Sequence, residues 1–182
     1  MKKNILAIIG SASSNSSNLR LVEQIALLSG NSLNIEIYEG LQDLPHFNPA
    51  LSVDQPPEAV QLIRQKIEQA DGILICTPEY IFSIPSGLKN LLEWCVATTI
   101  FAQKPTGLIT ASSNGAEGHR ELTRIMQTID AKFTADTSLL INGIKSKIDL
   151  NGNLREALKN QLIQFINNLK KMVDEATRHK TF

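Results

Sequence analysis

Short apolar runs alternate with amphipathic stretches along the whole chain. The runs at 4–9 and 72–77 are continuously apolar, which predicts strands that are covered on both faces of a sheet. Further strands are predicted at 33–39, 105–111 and 136–141. The helical spacing of apolar residues predicts helices at 18–29, 58–69, 86–99, 117–129 and 154–173.

This alternation predicts an α/β protein built around one sheet. Five strands that alternate with five helices are typical of a parallel sheet with right-handed crossovers and helices on both faces. The sequence contains no internal repeat, linker or low-complexity tract that would divide it. We therefore expect one doubly wound domain that spans residues 1–182.

Composition and charge exclude several classes of partner. Of the 182 residues, 42% are hydrophobic, and 18 basic side chains balance 18 acidic ones. Zero net charge argues against nucleic acid or an anionic membrane surface as the main partner. The apolar run at the start is only about seven residues long, too short for a signal peptide, and no segment approaches the ~18 apolar residues of a membrane span. We expect a cytoplasmic protein that does not insert into membranes.

The cysteines and histidines do not indicate a metal site. Cys76 and Cys95 lie in no CxxC or CxxH spacing, which favours a reducing compartment and packed thiols rather than disulfides or nucleophiles. His46 and His179 are interpreted as residues of a loop and a tail. His119 is interpreted as a surface residue at a helix start, with contact to a nicotinamide phosphate as the alternative.

Three loops have compositions that packing does not explain. They read GSASSNSSN (10–18), TPEYIFSIPSG (77–87) and ASSNGAEGH (111–119), and each follows a predicted strand. In open α/β sheets, ligands bind at the carboxyl ends of the strands, where the strand order reverses. We therefore expect a ligand site between these three loops. The loop after the last strand, NGIKSKIDLNGN (142–153), is interpreted as a plain polar connection.

The first loop predicts a phosphate site. It holds five serines and two asparagines and no charged residue, whereas a helix cap needs only one such side chain. Hydroxyls and amides at a helix N-terminus can surround a phosphate without a lysine. Neither GxxxxGK[ST] nor GxGxxG is present, so a terminal monophosphate is favoured over a pyrophosphate. Glu39, at the end of the second strand, is the only feature that favours a dinucleotide.

These motifs resemble those of the NAD(P)H-dependent FMN reductases of the flavodoxin-like fold. The resemblance rests on GSASSNSSN, on PEYIFSIPSGLKNLLEWC (78–95), on SSNGAEG (112–118) and on DLPHFNP (43–49), and it extends to about Ala131. It implies a flavodoxin-like three-layer sandwich with a parallel sheet in the order 2-1-3-4-5. It also implies FMN as cofactor, NADPH or NADH as electron donor, and a small-molecule acceptor such as a flavin or a quinone.

The resemblance also implies a set of cofactor-binding residues. The phosphate contacts would be Ser11, Ser16, Ser17 and Asn18, with Ser13 beside them. The backbone along the isoalloxazine ring would come from Pro78, Glu79, Tyr80 and Ile81. The pyrimidine edge or the ribityl chain would meet Ser112, Ser113, Asn114 and Gly115. Many members of the family carry arginine at the position of Ser13 and asparagine at that of Ile81. No catalytic side chain is expected, because the flavin performs the chemistry.

Two other functions stay open at this point: a flavodoxin-type electron carrier, and a module that binds a phosphate ligand other than flavin. Zero net charge argues against a carrier, since such proteins are usually acidic. The resemblance implies a homodimer or homotetramer that pairs through the third and fourth helices, with Leu92, Trp94 and Met126 as exposed candidates. Lys89 is expected to pair with Glu79, to contact a second subunit, or to lie on a solvated face.

Overall fold

The strands and helices alternate along the chain as predicted. The computed structural model describes residues 2–13, 15–148 and 153–179. The strands in this part of the chain are β1 (Lys3–Ile9), β2 (Leu33–Tyr38), β3 (Gly72–Thr77), β4 (Thr106–Ser112) and β5 (Ser138–Asn142). The helices are α1 (Ser17–Ser29), α2 (Glu58–Gln69), α3 (Ser86–Cys95), α4 (Ala116–Thr128) and α5 (Glu156–His179).

All five strands belong to one parallel sheet in the order β2-β1-β3-β4-β5. This confirms the predicted fold class and strand order. Every residue of the central strand β3 is buried, as expected for a strand that is covered on both faces. The strand order reverses between β1 and β3, which opens a crevice at the carboxyl edge of the sheet.

The helices pack in two layers, one on each face of the sheet. Side chains of β1 alternate between the two faces: Ile5, Ala7 and Ile9 pack with α1 and α5, whereas Leu6 and Ile8 pack with α2, α3 and α4. Both faces of the sheet are therefore closed to ligands, and its edge remains open. None of the helices that the structure describes is long and apolar enough to cross a membrane.

Two helices end at positions other than those predicted. Helix α3 ends at Cys95 because Thr98 donates both its N–H and its hydroxyl to the Cys95 carbonyl, at 3.0 and 2.7 Å, and turns the chain there. Helix α5 continues to His179 instead of ending at 173. An ion pair of 2.6 Å between Lys170 and Asp174, one turn apart, supports the helix across the predicted end.

The residues expected at a subunit contact lie in the protein's own core. Leu92, Trp94 and Met126 are fully buried between the sheet and the helices, so the prediction that they are exposed is wrong. The Trp94 indole donates to the Pro45 carbonyl at 2.8 Å. Apolar periodicity identifies the buried face of a helix, but it does not say whether the covering surface belongs to the same chain.

Candidate functional site

Strands β1, β3 and β4 are neighbours at the carboxyl edge of the sheet, where β1 and β3 end close to level and β4 extends slightly further. Ile9 of β1 pairs with Cys76 of β3, and Cys76 pairs with Ile109 of β4. The loops that follow these strands therefore begin side by side, as the sequence predicts. Between them lies a cavity of about 380 Å³, within the range of roughly 300–1,000 Å³ that is usual for small-molecule sites.

Most of the predicted site residues line this cavity. They are Ser11, Ser13, Ser16, Ser17, Asn18, Pro78, Glu79, Tyr80, Ser112 and Ser113. Ile81, Asn114 and Gly115 belong to the same loops but lie outside the lining. The lining also includes residues that sequence reasoning missed: Asn15, Ala111, Ile144 and Lys145.

The loop after β5 is part of the cavity wall rather than a plain polar connection. Asn142 pairs with Ser112, so β5 ends level with β4, and the Gly143 N–H donates to the Ser113 carbonyl at 3.1 Å. Gly143 has a φ of +62°, a conformation suited to glycine, and it leads into a short 3₁₀ turn at Ile144–Ser146. Because all carboxyl ends of a parallel sheet share one edge, this fourth loop could have been expected at the site.

The polar side chains of the first loop order the loop itself. The Ser16 hydroxyl caps α1 by accepting the Leu19 N–H at 3.0 Å. The Ser11 hydroxyl lies 3.3 Å from the Tyr80 hydroxyl, which ties this loop to the loop after β3. The Asn15 side-chain oxygen Oδ1 accepts from the Arg20 guanidinium at 2.8 Å. The N–H groups of Ser17 and Asn18, in the same turn, have no hydrogen-bond acceptor among the described residues and can donate to a ligand.

Asn18 braces the floor of the cavity. Its buried amide donates to the Ala111 carbonyl at 3.2 Å, and its side-chain oxygen lies 3.3 Å from the Cys76 sulfur. Burial strongly raises the pKa of the Cys76 thiol and raises that of Cys95 to about 12. Both thiols therefore stay protonated, in agreement with their interpretation as packed rather than nucleophilic residues.

The loop after β3 contains a strained two-residue turn. Tyr80 and Ser83 exchange backbone hydrogen bonds of 2.9 and 3.1 Å, and the two residues between them, Ile81 and Phe82, have φ values of +50° and +60°. Left-handed backbone is rare for residues other than glycine and especially for a β-branched one. The side chains of Ile81 and Phe82 are 94% and 73% exposed, so burial of these side chains does not compensate for the strain.

Helix α4 holds the strained turn in place. The Glu79 carboxylate accepts the Gly118 N–H at 2.7 Å. The Glu121 carboxylate accepts the Ser83 hydroxyl at 2.6 Å and the Ile84 N–H at 2.8 Å. Glu79 therefore has a partner on α4, and Lys89 pairs instead with Glu93 at 2.6 Å on its own helix.

Glu39 lies at a second cavity of about 320 Å³, beside the first. The two cavities share Ser11 and Tyr80, and the second is also lined by Gly10 and by residues at the start of α3. Glu39 therefore shares a cavity with the start of the first loop, at residues 10–12, and not with Ser16 and Ser17 at the α1 N-terminus. This placement does not favour a dinucleotide with its ribose on Glu39.

His119 lies in the first turn of α4, as predicted, and its partly buried ring bridges two strands. Its Nδ1 lies 2.9 Å from the Thr110 hydroxyl and its Nε2 lies 3.0 Å from the Ser138 hydroxyl. Both ring nitrogens are thus occupied within the chain, which leaves neither for a nicotinamide phosphate. Burial lowers the pKa of His119, so the ring is neutral at pH 7. Arg120 beside it pairs with Glu117.

The depressed pKa of His119 predicts a loss of stability in acid. Below pH 6.5, the ordinary pKa of histidine, this side chain binds a proton in the unfolded chain more readily than in the folded protein. The free energy of unfolding therefore falls as the pH falls. We expect His119→Gln to lose less of its stability than the wild type between about pH 7 and about pH 5. Urea unfolding at both pH values measures this. The exposed His46, replaced in the same way, is the control, and equal pH dependence in His119→Gln and wild type would refute the prediction.

Comparison with known proteins identifies the family. The sequence model described as NADPH-dependent FMN reductase matches residues 3–145, and so extends past Ala131 to the end of the cavity wall. The chain belongs to this family. It is an FMN-dependent NAD(P)H oxidoreductase with a flavodoxin-like fold, which confirms the resemblance that the sequence motifs indicate.

Individual relatives agree with this assignment. The NADH:(hydroxy)cinnamate reductase subunit CrdA of Vibrio ruber is 32% identical over 96% of this chain and 92% of its own length. A quinone reductase of Escherichia coli is 27% identical over 81% of this chain and 82% of its own. The structure of FerB, an NAD(P)H:(acceptor) oxidoreductase from Paracoccus denitrificans, superposes with a TM-score of 0.78 at 21% identity, covering 95% of this chain and 98% of that one.

The donors in the cavity fit the phosphate ester of FMN. One end presents the α1 N-terminus and serine hydroxyls, which are donors for an anion. The charged side chains of its described lining are Glu79 and Lys145, and the Glu79 carboxylate is engaged by α4.

Proposed function

We propose that the chain binds FMN in this cavity and passes electrons from NADH or NADPH to a small quinone or flavin. The observation that carries the proposal is that the loops after β1, β3 and β4 meet around one cavity, where the strand order of the sheet reverses. The FMN phosphate is assigned to the α1 N-terminus, with hydroxyls of Ser11, Ser13 and Ser17 as donors.

The remaining loops are assigned to the ring and the ribityl chain. Pro78 is buried at the end of β3, and Glu79 fixes the following backbone to α4, so this wall of the cavity is rigid. Ser112 and Ser113 offer hydroxyls and backbone groups on the opposite wall. Bound FMN supplies the hydride and electron chemistry, while the protein binds and orients it.

The proposed acceptor is planar and largely apolar. Ile81 and Phe82 project from the loop that borders the cavity, and their exposed side chains offer an apolar surface beside the expected position of the ring. The named activity of the Escherichia coli relative, quinone reduction, supports this choice of acceptor.

Steady-state assays test the proposal. The FMN-loaded protein is expected to oxidise NADH or NADPH when a benzoquinone or free flavin is added, and flavin-free protein assayed with the benzoquinone serves as the matched control. Absence of NAD(P)H oxidation with every quinone and flavin tried, in protein shown to hold FMN, would refute the proposed acceptors.

We further propose that the protein is a cytoplasmic homo-oligomer. Its cysteines are both free thiols, which is typical of a reducing compartment. Since Leu92, Trp94 and Met126 are buried, a contact through α3 must use other residues, such as the exposed Val96. Sedimentation is expected to show a species larger than the 20.1 kDa chain, and a monomer at all concentrations would contradict the assembly.

A further inference from the structure

The cavity has one cationic side chain and no ionic partner for it among the described residues. Of its charged lining residues, Glu79 already accepts a hydrogen bond from α4. Lys145 is exposed, and within the described part of the chain its ammonium makes no hydrogen bond or ion pair. A lysine in this position is available to a ligand that enters the cavity.

The fold holds Lys145 at the cavity that the serine-rich loop also lines. Ile144 is buried in the core that α1 and α5 form with the sheet, and Gly143 is bound to the β4 loop. Because the two residues before Lys145 are anchored in this way, the lysine is held at the cavity that Ser16 and Ser17 also line.

The first loop can surround a phosphate ester with hydrogen-bond donors, but it does not balance the ester's negative charge. Such an ester carries about −1.5 to −2 charges near neutral pH, and a helix N-terminus offers only about +0.5. The loop itself contains neither lysine nor arginine. Arg20 is the nearest cation in the sequence, but its guanidinium is bound to Asn15 and it does not line the cavity.

We propose that Lys145 is the cation that binds the FMN phosphate and that it gives the site its preference for FMN over riboflavin. This inference rests on the proposed location of FMN in the cavity. Arg20 has a different role, as it orders the loop through Asn15.

Equilibrium titration of the flavin-free full chain tests the inference. FMN and riboflavin are titrated separately into wild type, Lys145→Gln and the control Lys147→Gln, and binding is followed by quenching of flavin fluorescence. Loss of a charge-assisted hydrogen bond is expected to weaken FMN binding to Lys145→Gln by about 10- to 100-fold. Riboflavin binding should change by less than about twofold, since riboflavin has no phosphate. Lys145→Arg is expected to retain most of the FMN affinity.

Several outcomes would overturn the assignment. Unchanged FMN binding in Lys145→Gln, or equal weakening of FMN and riboflavin, would show that Lys145 does not bind the phosphate. The assignment would also fail if Lys147→Gln lost as much FMN affinity as Lys145→Gln. It would fail too if Arg20→Gln lost FMN affinity and Lys145→Gln did not. Failure of the wild type to bind either flavin would refute the proposed cofactor site itself, whereas tight FMN binding by the wild type leaves that site intact whatever the variants do.

Discussion

Replacement of Gly10 by alanine is expected to destabilise the protein and to weaken FMN binding more than tenfold. A Cβ at Gly10 would lie 2.3 Å from the Thr77 hydroxyl oxygen and 2.6 Å from its Cβ. The Gly10 N–H is bound to the Cys76 carbonyl at 2.8 Å, so the backbone cannot retreat without loss of that bond. Overpacking of this kind costs about 1–3 kcal/mol of folding free energy. Movement of the Gly10 backbone or of Thr77 would displace a loop that is assigned to FMN.

Thermal unfolding and FMN titration of Gly10→Ala measure the two effects. The melting temperature should fall by about 2–4 °C for each kcal/mol lost. Gly87→Ala is the control, because a Cβ there meets only Leu41, at an ordinary distance of 3.5 Å. If Gly10→Ala kept both the stability and the FMN affinity of the wild type, the argument that position 10 has no room for a Cβ beside Thr77 would be wrong.

Conversion of the Ile81–Phe82 turn to Asn-Gly is expected to stabilise the protein. Both residues have positive φ, as in the type I′ turns that strongly prefer Asn-Gly. Residues other than glycine held in left-handed backbone cost about 1–3 kcal/mol each, so the double variant should unfold at higher urea concentration. Val96→Asn is the control, because it removes an exposed apolar side chain from a residue whose φ is −58°. It should not raise the urea concentration of unfolding.

The same double variant tests whether the strain serves acceptor binding. We expect the KM for an apolar quinone to rise, because the exposed apolar surface is gone, while reduction of the bound flavin by NADH or NADPH stays near the wild-type rate. A variant that is no more stable than wild type would contradict the strain argument. An unchanged KM would remove Ile81 and Phe82 from the acceptor site.

Much of the fold could be predicted because the pattern along the chain is regular. The continuous apolar runs of β1 and β3 correspond to strands buried on both faces, and the amphipathic stretches correspond to helices covering them. Strand order came instead from the resemblance of the loop motifs, since periodicity carries no information on which strands are neighbours. The helix ends at Cys95 and His179 depended on local hydrogen bonds and an ion pair.

The parts of the site that could not be predicted depend on contacts between distant residues. Lys145 stands in a loop of ordinary polar composition, and only the register of β5 against β4 brings it to the cavity. Asn18 is one of several similar polar residues in its loop, and its buried contacts with Ala111 and Cys76 require the folded sheet. Sequence composition marks a loop as unusual, but the direction of each side chain depends on its neighbours.

The central claim is tested most directly by anaerobic titration of the FMN-loaded protein with NADH and then with NADPH, followed by the visible absorbance of the flavin. We predict that at least one donor bleaches the bound flavin within the mixing time of the experiment, and that the faster donor is the preferred cosubstrate. Bound flavin that stays oxidised in excess NADH and NADPH would contradict the oxidoreductase activity and would indicate an electron carrier.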